Sequence, residues 1–587
     1  MHRKIQIAIF CILAGCWLYF AGDFIFRTSH VSIDGVRYFA TVDDGMISMR
    51  YAKNFVEHKG LVWNVGERVE GFTTPLWTLF MICAIWLFGT HYAPLAIQIL
   101  GGMTCIAVFV IYCWAGIRNK ASELAVVTGV LMLLLSYPIS YWGLSGMEAT
   151  AVCAVFAAAA AMQYSYEKGN SGNPFLVHSL LIAIAYCLRP DGWLSITPFF
   201  VASLFDSIGQ KMYLRVFRGL AMIGAVMALV TAGRLAYYGA WVPNTYVLKV
   251  EGYSLMLRLS NGTSFVGEFF TQNFMLLALI GVSALSKKRI AFLNISAACI
   301  TIAYQIYVGG DPWSSWRQLL QVYVVAAFAV LILFDYISEL SVFSPKMQSP
   351  DRITLALVAV VASAPLVVAE YQVYQGDAYL PYLLEIYMVA LLVALVALRY
   401  PEKFRIPDRK VQLLIHIART LVVVVTIGSA IVGSTRFYHE LRGKPTSFAD
   451  QAELIDKAVL SMRLFGPGKT SHMAWAGTYP YYVEGKMIDA LGKSDIAVAR
   501  YPVDESIAWD GMKGVPGHSK YDFRDTILKR SPDIIVDYLA WGRQDLTPDL
   551  KDSYTLIKDQ GVSLCVKNEL AAMYENLASG SCPRNLF

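Results

Sequence analysis

The chain is predicted to be a polytopic α-helical membrane protein of about 13 transmembrane helices, ending in a small extracytoplasmic α/β domain. Three observations predict this. Of the 587 residues, 56% are hydrophobic and only 16% charged, where a soluble domain carries about 25% charge; the mean hydropathy is +0.48. The apolar residues fall in runs close to the roughly 20 residues a helix needs to cross a bilayer. After residue 433 the runs give way to alternating apolar and polar stretches, with Gly466-Pro467-Gly468 and a strand-like segment over 532–537.

Residues 5–26 form the first span. The run is too long for a signal-peptide core, lacks a small-x-small cleavage site, and follows the basic Arg3-Lys4, so the N-terminus is expected in the cytoplasm. The other spans are 94–116, 122–142, 146–165, 174–189, 191–207, 216–239, 268–286, 290–308, 317–337, 353–371, 380–399 and 412–433. The apolar run 75–88 is read as juxtamembrane or re-entrant. If it crossed, the basic loops Arg118-Asn119-Lys120, 211–218, 286–289 and 399–410 would all face outward, against the positive-inside bias. The expected division is a transmembrane domain over 1–433, with a first outer loop over 27–93, and an external domain over 434–587. The net charge of +6 lies between apolar runs, as topology requires, and does not point to nucleic acid. Of ten cysteines, only Cys565 and Cys582 fall in the polar C-terminal region. Outside the cytoplasm they could form a disulfide; two free thiols are the alternative.

With that topology the polar clusters sort to one side. Asp43-Asp44 follows the first span; Gly143 to Glu148, Arg189-Pro190-Asp191-Gly192, Trp241 to Lys249, and Gly309-Gly310-Asp311-Pro312-Trp313 with Arg317 stand at later outer turns. Each alone is weak: Arg189 to Gly192 taken alone reads first as a helix stop followed by a turn, and Glu148 can be a carboxylate at a helix N-terminus. Five loops converging on one rigid scaffold is what an active site or substrate cavity looks like, and ionisable residues at membrane depth mark function. The outer tryptophans Trp63, Trp77, Trp142, Trp193, Trp241, Trp313 and Trp316 suit sugar faces, although an interfacial aromatic belt accounts for at least half of them.

The block Asp43-Asp44-Gly45, Arg50 to Asn54, Gly60-Leu61-Val62-Trp63-Asn64 and Gly66 to Thr73 resembles the GT-C superfamily of polyprenyl-phosphate-sugar glycosyltransferases. It is most similar to the branch of the mycobacterial terminal β-arabinofuranosyltransferase and pilin arabinosyltransferases. Leu144 to Glu148, Arg189 to Gly192, Pro243-Asn244-Thr245, Gly309-Gly310-Asp311, Asp489-Ala490-Leu491-Gly492 and Pro516-Gly517-His518 recur there in the same order. The match is weaker over 318–465, where only hydropathy is shared.

The resemblance implies a GT-C fold in the bacterial cytoplasmic membrane and transfer of a sugar, arabinofuranose in this branch, from a polyprenyl-phosphate donor. The acceptor would be a surface glycan, glycolipid or pilin-like protein. Such a reaction needs a carboxylate to take the acceptor proton and cations for the phosphate. Asp43 is expected to engage the acceptor hydroxyl and Asp44 to support it, on a short helix carrying Ile47, Met49, Tyr51 and Phe55 and ending near Gly60. Arg189, Lys249 and Arg317 compete for the phosphate. Glu70, Glu148, Asp191, Asn244, Asp311 and Trp313 are further substrate-binding candidates. No cofactor is expected; a divalent cation on the Asp pair stays open, without a matching ligand set. A mannosyl- or aminoarabinosyltransferase and a transporter are the alternatives, the latter disfavoured because no repeat is visible and the charges gather at span ends.

Overall fold

The computed structural model describes residues 2–313, 315–342, 408–435, 443–509, 512–537 and 546–583, together with 387–388, 390–395, 398 and 440. Helix α1 (His2–Thr28) leads through a two-stranded ribbon, β1 (His30–Val31) with β2 (Arg37–Tyr38), to the short α2 (Asp43–Val56). The apolar bundle follows: α3 (Pro75–Arg118), α4 (Glu123–Leu135), α5 (Tyr137–Leu144), α6 (Ala149–Glu167), α7 (Phe175–Leu188), α8 (Thr197–Gly209) and α9 (Tyr213–Tyr238). The short α10 (Asn244–Val250) precedes α11 (Leu255–Val282), α12 (Arg289–Val308), α13 (Leu320–Val342) and α14 (Asp408–Thr435).

Among the described residues, eight helices are long and apolar enough to cross a membrane, and the bent pair α4–α5 would be a ninth if taken as one span. The chain is an integral membrane protein. Helices α7 and α8 match predicted spans but are shorter. Predicted span 353–371 lies outside the described residues, and 380–399 largely so. At 44 residues α3 would reach about 66 Å if straight, twice the roughly 30 Å apolar core of a bilayer. Gly89, at φ 73° and ψ 168°, breaks it. The run 75–88 is therefore a helical arm set off by a kink from the stretch that follows.

The C-terminal region opens with α15 (Thr446–Phe465), which ends at Gly466 (φ 66°). A six-stranded sheet follows, ordered β10-β8-β9-β7-β3-β4. Strands β3 (Ser471–Met473), β4 (Met487–Asp489) and β7 (Ile534–Ile535) are parallel. The helix α16 (Thr478–Tyr482) follows β3, and β5 (Ala508–Trp509) with β6 (Met512–Lys513) form a separate ribbon. Strands β8 (Tyr554–Asp559) and β9 (Val562–Lys567) join through Gln560-Gly561, both at positive φ, as the tight hairpin turn that suits twisted strands requires. Strand β10 (Ala578–Ser581) closes the edge. Cys565 of β9 and Cys582 are joined by a disulfide, with Cα atoms 5.8 Å apart.

Ile47 and Tyr51 of α2, with Trp63 and Phe72, share one apolar core with Leu454, Met473, Tyr479, Ile534 and Leu564. The first loop is thus built into the C-terminal sheet. The rest of the block that carries the family resemblance fastens the same joint. Arg50 donates to the carbonyls of Trp63 (2.7 Å), Pro480, Val483 and Gly485, and Lys53 to that of Tyr481. Asn64 exchanges two hydrogen bonds with the backbone of Met487, and Trp63 Nε1 donates to Ala476.

Candidate active site

Helix α2 starts at Asp43, so both carboxylates sit in its first turn, where the helix dipole favours them. It ends at Val56, four residues before Gly60. Successive helical residues point about 100° apart, and this separates the pair. Asp44 lines a cavity of about 470 Å³ that Asp43 does not reach. Asp43 is buried against the C-terminal region, its Oδ1 accepting from the N–H groups of Gly477 (2.9 Å) and Thr478 (3.3 Å). Its Oδ2 is buried without a hydrogen-bond partner. Asp44 therefore faces the cavity, whereas Asp43, expected to engage the acceptor hydroxyl, faces the C-terminal region.

The cavity lies where several helices begin or end: the starts of α2, α3, α6 and α13, and the ends of α7, α9 and α12. It gathers Asp44, Glu148, Arg189, Asp191, Lys249, Asp311 and Arg317, residues from all five predicted loops. Arg317 is the hub. Its Nη1 donates to Asp44 Oδ2 at 2.8 Å, its Nε and Nη2 reach Asp311 Oδ2 at 3.0 and 2.9 Å, and its guanidinium lies 5.2 Å from the Trp142 ring centroid. Arg189 holds Asp191 through two hydrogen bonds, at 2.8 and 2.6 Å, and also donates to Gln318.

Lys493 was missed from sequence, and it pairs with Asp44 Oδ1. It arrives from the loop after β4, directly beyond the Asp489 to Gly492 motif, which was the available signal. Asp489 Oδ1 accepts from the N–H groups of Leu491 and Gly492, and its Oδ2 from that of Ser494 (2.6 Å), so its side chain moulds this loop. Arg234 of α9 was also missed, although a lone arginine inside an apolar run is itself a signal. It lines the cavity and pairs with Glu70.

Four predicted site residues stand outside the lining. Glu70 is held by Arg234 in the wall. Asn244 donates to the carbonyls of Gly492 (2.9 Å) and Lys493 (3.1 Å), clasping the Lys493 loop. Trp313 packs on Trp475, ring centroids 6.2 Å apart. Asp43 is the fourth. Of the tryptophans, Trp63, Trp77, Trp142 and Trp316 are fully buried; Trp77 and Trp142 donate to the carbonyls of Gly146 and Ser315. They are packing and positioning groups rather than an interfacial belt. Trp241, 70% exposed, stands at the cavity wall.

The electrostatics separate the two aspartates further. Burial pushes the Asp43 carboxyl up to about 7, against the pull of Lys493 and of its two N–H donors. Burial acts on Asp44 too, but Lys493, Arg317 and Lys249 outweigh it and hold that carboxyl well below the usual range. Burial lowers the Lys249 ammonium, with Asp44 opposing. Arg189, Arg234, Arg317 and Lys493 all have carboxylate partners. Among the described residues, Lys249 is the cavity cation with neither an ion pair within 4 Å nor a hydrogen bond. Its stem passes Gly517 so closely that a Cβ there would stand 3.2 Å from Lys249 Cε.

No family model matches the chain. Over 224 residues it is 26% identical to the terminal β-(1→2)-arabinofuranosyltransferase of Mycobacterium tuberculosis, an alignment covering 35% of this chain and 34% of that protein. The match thus spans about a third of the relative's length. Among solved structures, ArnT from Cupriavidus metallidurans in the apo state aligns with a TM-score of 0.54 and 13% identity, over 97% of this chain and 98% of that one. The same protein bound to undecaprenyl phosphate aligns with a TM-score of 0.46 and 14% identity, over 84% and 88%. The fold is that of ArnT, membrane helices with a small C-terminal sheet region.

Proposed function

We propose that this chain is a membrane glycosyltransferase that moves a sugar, arabinofuranose on the sequence resemblance, from a polyprenyl-phosphate donor to a hydroxyl of a surface glycan, glycolipid or pilin-like protein. The proposed setting is the outer face of the bacterial cytoplasmic membrane, with the N-terminus cytoplasmic and residues 434–587 external. One observation carries the reading: in a cavity at the ends of the membrane helices, Asp44 stands among Lys493, Arg317 and Lys249, and Lys249 has no carboxylate of its own. A phosphate leaving group needs such cations, because charge develops on its oxygen as the bond to the sugar breaks. A carboxylate facing the same space can take the proton of the attacking hydroxyl. The chemistry therefore moves from Asp43 to Asp44. Lys249 and Arg317 remain the phosphate candidates, whereas Arg189 is committed to Asp191.

The residues do not fit a divalent cation. Both Asp44 oxygens are engaged by Lys493 and Arg317. Among the described residues, no group of three or more His, Cys, Asp or Glu side chains is gathered closely enough to hold one. In the proposed reaction the charge on the phosphate is met by Lys249, Arg317 and Lys493.

The test is transfer by purified protein from a panel of labelled polyprenyl-phosphate sugars, including arabinose, mannose and aminoarabinose donors. The arabinose donor is expected to be consumed, and Asp44→Asn to lose about 10²–10⁴-fold in rate while staying monodisperse. Consumption of another donor reassigns the sugar. No consumption of any, or full activity in Asp44→Asn, overturns the reading.

A further inference from the structure

Both oxygens of Asp44 are taken. Arg317 holds Oδ2 at 2.8 Å and Lys493 holds Oδ1. A carboxylate gripped in this way is a poor base, since a proton would have to displace a cation. The two cations differ in how they are held. Arg317 is locked by two contacts to Asp311 and by Trp142 beneath its guanidinium. Lys493 has a fixed backbone and a long unbranched side chain. Asp489 and Asn244 clamp residues 491–494 from both sides, at 2.6–3.1 Å. Gly71 lies so close that a Cβ would stand 2.9 Å from the Lys493 carbonyl oxygen. Beyond that clamp a flexible four-carbon stem carries an ammonium with three rotatable donors, in the wall of the same cavity as Lys249.

We propose that Lys493 is a shared cation, which passes from Asp44 to the donor's phosphate as the donor binds, and that this hand-over frees Asp44 Oδ1 to take the acceptor's proton. The inference rests on the glycosyl-transfer reading above and extends it. The C-terminal region becomes a contributor of a working residue to the membrane cavity, and the donor arms its own base. In the transfer step, the bond from the anomeric carbon to the phosphate oxygen breaks with its electron pair going to that oxygen, which gains a negative charge beside Lys249, Arg317 and Lys493. The acceptor oxygen bonds to the anomeric carbon, and its proton goes to Asp44 Oδ1. The proton then leaves Asp44 with the departing lipid phosphate or to solvent, and Lys493 returns to the carboxylate. The charged and titratable groups around Asp44 are Asp43 on its own helix, Lys493 from the loop after β4, Lys249 from α10, His518 from the loop after β6, and Arg317 with its partner Asp311. Glu148 and the Arg189–Asp191 pair lie farther round the wall. A phosphate entering this set competes with Asp44 for the cations, so Asp44 becomes more basic once the donor is in place.

Two measurements test this on the full chain in detergent. The first is binding of undecaprenyl phosphate to wild type, Lys493→Met and Lys493→Arg. The neutral variant is expected to bind about tenfold more weakly, as for the loss of one charge-assisted hydrogen bond, with Lys493→Arg recovering much of the loss. The second is the acid side of the pH–rate profile. In wild type, kcat/KM for the acceptor at saturating donor is expected to fall at higher pH than kcat/KM for the donor, because the first reports Asp44 after the hand-over and the second before it. In Lys493→Met the two limbs are expected to draw together, and kcat/KM for the donor to drop about 100-fold, the scale for losing one donor to a developing negative charge. A merely structural lysine would not move the limbs relative to each other. If wild type fails to bind undecaprenyl phosphate, the glycosyl-transfer reading falls and the hand-over with it. If wild type binds and transfers, but Lys493→Met binds equally well or the wild-type limbs coincide, the hand-over alone is overturned.

Discussion

Gly477→Ala is the sharpest probe of how the C-terminal region sets the cavity. Gly477 donates its N–H to Asp43 Oδ1 at 2.9 Å. A Cβ at this position would stand 2.6 Å from Asp43 Oδ1, and nearer still to the Asp43 carbonyl oxygen, where ordinary contact begins at 3.4 Å. The nearer obstacle is backbone in the first turn of α2, which cannot swing aside like a side-chain tip. The start of α2 and the 474–478 loop must therefore part by about 1 Å, a displacement that can cost on the order of 100-fold in rate when it misplaces a reacting group. Overpacking of this kind costs about 1–3 kcal/mol in stability. The fold is expected to survive, because Arg50, Lys53 and Asn64 fasten the rest of the joint independently. The assay is transfer by purified protein, with size-exclusion profile and thermal unfolding run alongside. The expected result is a roughly 100-fold fall in kcat/KM with a monodisperse protein and a modest drop in Tm. A variant within threefold of wild type would refute the claim that the Asp43–Gly477 contact positions Asp44.

Four further outcomes are expected. Asp43→Asn keeps an oxygen for Gly477 and Thr478, so transfer should stay within about tenfold of wild type, in contrast to Asp44→Asn; collapse to the same level would return the chemistry to Asp43. The same variant should flatten the pH dependence of stability. Because burial raises the Asp43 carboxyl to about 7, the folded chain binds more protons than the unfolded chain between about pH 4 and 7, and wild-type stability falls as pH rises through that window; thermal unfolding across pH reads both slopes. Lys249→Met should raise the donor KM about tenfold or more, and an unchanged KM would remove Lys249 from phosphate binding. Cys582→Ser opens a loop with a sequence separation of 17, which should cost about 3 kcal/mol and speed proteolysis of the C-terminal region; unchanged protection would mean that the bond contributes nothing there.

What was legible in the sequence was what hydropathy and local motifs carry. Charge bias separated 75–88 from the helix that follows, and a kink at Gly89 marks that division. Loops far apart in the chain were grouped by side, and Asp44, Glu148, Arg189, Asp191, Lys249, Asp311 and Arg317 meet in one cavity. What stayed hidden depends on orientation and on contacts across hundreds of residues. Two adjacent aspartates look equivalent on paper, and only the starting residue of α2 turns one toward the cavity and the other toward Gly477. Arg50, Trp63 and Asn64, in the block most typical of the resemblance, invite a catalytic reading, yet they bind the backbone of residues 476–487.

That joint changes the meaning of the resemblance itself. A carboxylate in the first turn of a short helix, outside the main bundle, would be a loosely placed base if the helix were held by its own loop alone. Here Ile47 and Tyr51 are buried in the core of the C-terminal sheet, and Arg50 ties the same helix to three carbonyls of residues 480–485. The sheet then returns a cation, Lys493, to the carboxylate it has positioned. Motifs separated by more than 400 positions are joined for a physical reason: the C-terminal region that holds the helix carrying Asp44 also supplies Lys493.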